Sequence, residues 1–225
     1  MTEPGTGADR RALAARLAEV HERIADAARS AGRAPDEIAL VAVSKEVAAD
    51  AVAAALEAGQ RDFGENRAQE LAAKADELAR RQLTPTWHFI GRLQRNKIKA
   101  IAPRVALWHS VDRSDVGSTI ARHAPGARVL AQVNVAGEEQ KGGCRPEDLP
   151  ALVDALGELG LAVDGLMTVP PLLGDPRPYF SAVRELATRL GLPMLSMGMS
   201  GDFEAAIAEG STLVRVGRAV FGSRP

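Results

Sequence analysis

From Ile38 to Gly217, short apolar runs with the composition of buried strands alternate with stretches of helical period, and this alternation constrains the chain more than any single motif. The apolar runs lie near 38–44, 61–64, 86–91, 105–111, 127–135, 162–168, 194–198 and 212–217. Helical patterns near 47–58, 66–81, 94–101, 113–123, 147–159, 178–190 and 203–209 fill the gaps. A run such as "IALVAVS" is apolar at consecutive rather than alternate positions, which suits a strand covered on both faces. Strict alternation of strand and helix makes neighbouring strands parallel. Eight such units in 225 residues is the number that closes an α/β fold into a (β/α)8 barrel.

An opening helical stretch, 8–31, carries Leu13, Leu17, Val20 and Ile24 at three- and four-residue spacing, with Gly32 as its stop. It supplies the helix that completes the outer ring. No Ser- or Gly-rich linker interrupts the pattern, so residues 1–225 are expected to form one domain. An open, doubly wound sheet is the structural alternative, but no G-x-G-x-x-G follows the first strand.

Composition narrows the partners. With 28 Lys plus Arg against 29 Asp plus Glu, the chain has no general field to attract nucleic acid or an anionic membrane. The single cysteine, Cys144, rules out an intrachain disulfide and a multi-cysteine metal site, and with no base partner in view it reads as an inert thiol. No apolar run approaches the roughly 20 residues of a membrane span. The start, "MTEPGTGADRRALAARLAEV", lacks the basic-then-apolar order of a signal peptide, so a cytoplasmic location is expected.

In a barrel, the carboxyl ends of all strands face one mouth, where the chemistry gathers. The first strand ends there on Lys45, either as the first solvated residue of a loop or as an amine presented to a ligand. Met199, Ser200 and Gly201 lead into a helix, and Gly217 and Arg218 follow the last strand; both stretches are tight turns or amide sites for a phosphate. A lysine facing a phosphate site suggests a phosphorylated aldehyde or ketone held as a Schiff base. Arg215, one pleat before Gly217, points either at that ligand or into an ion pair within the barrel. His88 and His109 show no metal-ligand spacing and read as hydrogen-bonded structural residues. Glu138 and Lys141 read as solvated charges of a flexible loop. The stretch 91–104 carries five basic and no acidic residues, as an exposed helical face or an anion-attracting patch.

The segments "VAVSK", "FGEN" followed by "QE", "WHFIGRLQRNK", "SVDR", "GLMTVPP" and "LSMGMSGDFEAAIAEGSTLVRVGRAVFG" resemble the pyridoxal phosphate homeostasis proteins, the YggS/PROSC family, from about residue 38 to the end. The resemblance implies the barrel of the alanine racemase N-terminal type, with pyridoxal 5′-phosphate bound as an internal aldimine. It places Lys45 as the Schiff-base lysine, Ser200 at the phosphate with amides from Gly217 and Arg218, Arg215 near the pyridine nitrogen, and Asn66 close to the cofactor. At Arg218 the family more often has Thr, and at Arg67 many relatives carry Tyr. An arginine at the ring nitrogen keeps it unprotonated and weakens the electron sink that carbanion chemistry needs.

The resemblance implies no established turnover. Racemases of this fold draw an opposite-face tyrosine from a further domain of a partner subunit, whereas only eight residues follow Gly217 here and the sole tyrosine, Tyr179, reads as a surface or packing residue. The expectation is therefore a monomeric carrier of pyridoxal phosphate, with dependent apoenzymes as its receivers. The rival readings are an amino-acid racemase and a lysine-dependent aldolase.

Overall fold

The computed structural model describes residues 7–138 and 141–222. Eight strands form one closed, wholly parallel barrel in sequence order: β1 (Ala39–Val43), β2 (Asp62–Glu65), β3 (Thr86–Phe89), β4 (Val105–Val111), β5 (Arg128–Gln132), β6 (Ala162–Met167), β7 (Met194–Ser196) and β8 (Leu213–Val216). The ring is closed by β1 against β8, with Val41 opposite Arg215. The helices between strands are α2 (Ala49–Glu57), α3 (Ala68–Arg80), α4 (Arg95–Ile101), α5 (Ser114–His123), α6 (Leu149–Glu158), α7 (Arg177–Leu190) and α8 (Phe203–Ala208). The barrel and the helix in every gap agree with the alternation read from sequence.

The opening helix α1 (Gly7–Ser30) packs against both α8 and α2, and so completes the outer ring as expected. Its buried stripe is Leu13, Leu17, Val20, Ile24 and Ala28, and it ends where Gly32 takes φ +68°. Long basic side chains fasten it: Arg16 donates to the Val220 carbonyl at 3.0 Å, and the Arg23 guanidinium lies 4.7 Å from the centre of the Phe203 ring.

Two apolar cores follow from the alternation of side chains along each strand. Val41, Leu107, Leu130, Met167 and Leu213 fill the lumen. A larger core, including Phe63, Trp108, Phe180 and Phe203, lies between the sheet and the helices. Each fully buried side chain of that size contributes about 1.5–3 kcal/mol. On β1 the odd-numbered residues therefore face the lumen and the even-numbered ones face the helices, which decides where Ser44 and Lys45 point.

Several boundaries differ from the sequence expectation. The fifth strand, expected over 127–135, ends at Gln132, because the Asn134 amide donates to Cys144 O and the Cys144 amide to Gln132 O, turning the chain into a loop. The seventh, expected to reach 198, stops at Ser196, since Gly198 takes φ +93° and leaves the extended region. A short helix α9 (Arg218–Phe221) after the last strand was not anticipated.

Candidate functional site

The mouth of the barrel opens into a cavity of about 780 Å³. Lys45, Asn66, Ser200, Arg215, Gly217 and Arg218, the six residues expected to form a site, all line it. Lys45 is half-buried one residue beyond Ser44, on the lumen-facing register of β1. The two turns at 199–201 and 217–218, which follow β7 and β8, line the same cavity. The main-chain N–H groups of Ser200, Gly201, Gly217 and Arg218 donate to no acceptor among the described residues, which leaves four donors for an anion. The first turn is shaped by Asp202, whose carboxylate accepts from the Met199 amide at 2.5 Å, and by Gly198, where a Cβ would fall 2.6 Å from Ala206 Cβ and 2.9 Å from Phe203 Cα.

Arg215 is buried and lines this cavity, and it pairs with no carboxylate among the described residues. Its Nη1 donates to Ser196 O and Ser196 Oγ, both at 2.6 Å, and its Nη2 to Thr168 O at 2.8 Å. Burial pulls the guanidinium down to about 10, partly offset by Asp202, so it stays a cation at neutral pH. A hydrogen-bond chain runs from it through the lumen to Asp62, whose carboxylate can only accept, and that end sets its direction. Ser196 Oγ accepts from Arg215 and gives its own proton to His109 Nδ1 at 2.8 Å. His109 must then donate from Nε2 to His88 Nδ1 at 2.8 Å, and His88 from Nε2 to Asp62 Oδ1 at 3.0 Å. Burial, with His88 and Arg215 nearby, holds the His109 pKa well below its ordinary value, in keeping with the neutral tautomer the chain requires. His88 and His109 are thus hydrogen-bonded structural residues, as expected, but they also carry the polarisation of a buried cation to a carboxylate at the amino end of β2.

Asn66, after β2, has its side-chain Oδ1 buried without a hydrogen-bond partner. The chain is tight at this point: a Cβ on Gly91 would fall 2.0 Å from Asn66 O. A cavity of about 320 Å³ beside the mouth shares Asn66 and Gly91 and is bordered by Arg67, Arg92 and Lys97, so part of the basic stretch faces a recess. Two of the others are paired outward, Arg95 with Asp115 and Arg104 with Asp76.

The Glu138–Lys141 pair corrects the expectation of solvated charges. Lys141 is only one-fifth exposed, pairs with Glu138, and donates to Pro170 O at 2.7 Å, tying the loop after β5 to the one after β6. Cys144 agrees with the inert reading, since burial pushes its thiol up to about 11. Tyr179 is half-buried on α7 and is not among the residues lining the mouth.

Sequence reasoning missed a buried charged group behind Lys45. Glu65 is fully buried between β2 and α3; its Oε1 accepts from Ser44 Oγ at 2.7 Å and from Lys74 Nζ at 2.7 Å. Desolvation raises Glu65 to about 7 against the opposing pull of Lys74. The "FGEN" segment drew notice to Asn66 alone, and no signal in it marks the carboxylate beside it.

Comparison with known proteins places these features in a wider group. Residues 15–225 match the family model of the alanine racemase N-terminal domain. A Pseudomonas aeruginosa protein named pyridoxal phosphate homeostasis protein is 46% identical over 222 residues, covering 94% of this chain and 96% of that one. A crystal structure of an unknown protein from Bifidobacterium adolescentis superposes with a TM-score of 0.90 at 38% identity, covering 98% of each chain. The structure of PipY from Synechococcus elongatus with PLP bound superposes with a TM-score of 0.82 at 36% identity, covering 93% of this chain and 100% of that one.

Proposed function

This chain belongs to the alanine racemase N-terminal domain family, and from that premise we propose that it binds pyridoxal 5′-phosphate and serves its homeostasis. The observation that carries the reading is one cavity lined by an amine, four unengaged amides and a buried guanidinium. Lys45 would hold the aldehyde, the amides of Ser200, Gly201, Gly217 and Arg218 the phosphate, and Arg215 would face the ring nitrogen. The residues present fit that group: Asn66 Oδ1 is an orphaned acceptor in the cavity wall, and Arg215 keeps its charge at neutral pH. When bound, the cofactor supplies a reactive carbonyl and an electron sink.

The chain's own residues favour holding over turnover. A guanidinium that titrates at about 10 and donates to two carbonyls and a hydroxyl is a poor acid toward a ring nitrogen, so the electron sink stays weak. Lys45 would serve as the tether and Arg215 as the fixed cation of a carrier that works as a monomer in the cytoplasm and supplies dependent apoenzymes. The purified protein should show a near-visible band that borohydride abolishes, with the pyridoxyl mass on the Lys45 peptide and none on Lys45→Ala. A colourless protein that takes up no added pyridoxal phosphate would sink the reading. Reproducible, Lys45-dependent turnover of an amino acid would replace the carrier with an enzyme.

A further inference from the structure

Lys45 is flanked by two residues whose peptide groups are gripped by one cluster, of which Glu65 and Lys74 are buried and Glu70 is half-buried. On its amino side, Ser44 gives its Oγ proton to Glu65 Oε1 and its carbonyl accepts from Lys74 Nζ at 2.5 Å. On its carboxyl side, the Glu46 amide donates to Glu70 Oε1 at 2.9 Å, and Glu46 itself sits at φ +60°, a strained conformation for a residue with a side chain. Glu65, Glu70 and Lys74 thus hold both neighbours of the tether from the helix side of the sheet, and none of the three lines the mouth cavity.

The cluster is one proton short of balance if both carboxyls are ionised. Glu65 and Glu70 face one lysine, Lys74, whose Nζ lies 2.7 Å from Glu65 Oε1 but 3.9 Å from Glu70 Oε2. Glu65 Oε2 and Glu70 Oε2 are both buried with no hydrogen-bond partner among the described residues, although both carboxyl groups lie against the same Lys74 ammonium and Glu70 acts to raise Glu65. Two carboxylates cannot satisfy one another; a carboxylate and a carboxylic acid can. The other charges around the cluster do not supply the missing donor. Arg67 lies 3.8 Å from Glu46, and on α2 Asp50 pairs with Arg81 and Glu57 with Arg10. On α4, Arg95 pairs with Asp115, and Lys97 and Lys99 make no bond to the cluster among the described residues.

We infer that Glu65, Glu70 and Lys74 are positioning residues for Lys45, and that a single proton shared by the two glutamates keeps the tether clamped and the ligand retained. Loss of that proton sets the buried Glu65 anion against a half-buried Glu70 anion, draws Glu70 away from the Glu46 amide and relaxes the strained residue beside Lys45. Retention then weakens as pH rises through neutrality, in line with a Glu65 carboxyl that burial raises to about 7. The inference rests on the reading that Lys45 holds pyridoxal phosphate.

The test compares wild type with Glu70→Gln, whose amide keeps the acceptor for Glu46 and gives Glu65 a permanent donor. Each protein is loaded with pyridoxal phosphate and its release is followed against a carbonyl scavenger from pH 6 to 8.5. Release from any lysine depends on pH, so the ratio between the two proteins is the informative quantity. The ratio of wild-type to variant release should grow about tenfold across the range, the scale of one lost hydrogen bond to a charged group. A second readout needs no ligand and no variant: infrared spectra of the unloaded wild type should show a protonated carboxyl at pH 6 that vanishes by pH 8.5, with faster hydrogen exchange at Glu46. A constant ratio, or no such carboxyl band, overturns the inference while leaving the cofactor reading intact. A wild type that takes up no pyridoxal phosphate fails that reading, and the inference with it.

Discussion

Arg215 shows how a single buried charge organises its surroundings. Its three acceptors among the described residues are two carbonyls and the Ser196 hydroxyl, and the hydroxyl links it to His109. Ser196→Ala removes a donor from His109 Nδ1 and an acceptor from Arg215 in one step, at 0% exposure. Leaving two buried groups short should cost about 2–4 kcal/mol, measured as a shift in the urea midpoint at constant slope. A change below about 0.5 kcal/mol would mean that the chain carries no polarisation worth the name. Of the residues involved, Lys45, Ser200 and Arg215 were legible in the sequence because they end strands or sit beside glycine turns. Glu65 was not. Its partners Ser44 and Lys74 lie 21 and 9 residues away, and only the closing of β2 against β1 under α3 brings them together.

The elements were read well where periodicity alone determines them, as for α1 and the strand order, and poorly where a single turn ends them. Consecutive apolar residues do not say where β5 stops, because its last pairing partner is a loop amide at Cys144. Nor does sequence alone show that Gly165 is there to admit a neighbour: a Cβ at this position in β6 would lie 1.9 Å from Met194 O on β7. Gly165→Ala should therefore pry apart β6 and β7 and destabilise the barrel by more than about 3 kcal/mol, read from thermal unfolding. Gly157, on α6, has nothing within 4 Å of its would-be Cβ and no need of a left-handed backbone. Gly157→Ala should stabilise the protein by about 0.5–1 kcal/mol in the same assay. Equal effects of the two substitutions would remove the packing explanation for Gly165.

At the scale of the whole molecule, two buried titrating groups give stability opposite slopes with pH. His109 is held neutral in the folded state, with its pKa below the unfolded value. The unfolded chain then binds more protons below pH ~6.5, so this group's contribution is lost as pH falls. Glu65 is the reverse case, raised from 4.5 to about 7, so the folded state holds the extra proton and stability declines as pH rises through that window. Between the two ordinary values the slopes oppose one another, and the wild-type profile should be flat there. Glu65→Gln removes only the falling component, and its Lys74 pairing loss is the same at every pH in the range. The stability of Glu65→Gln relative to wild type should therefore rise with pH by about 1.4 kcal/mol per unit between the ordinary carboxyl range and neutrality. Denaturant titrations of both proteins at several pH values supply the comparison, and parallel profiles would show that Glu65 is already ionised in the native state. In that case Lys74 alone would balance its charge, and Glu70 would need another source for the proton its buried oxygen lacks.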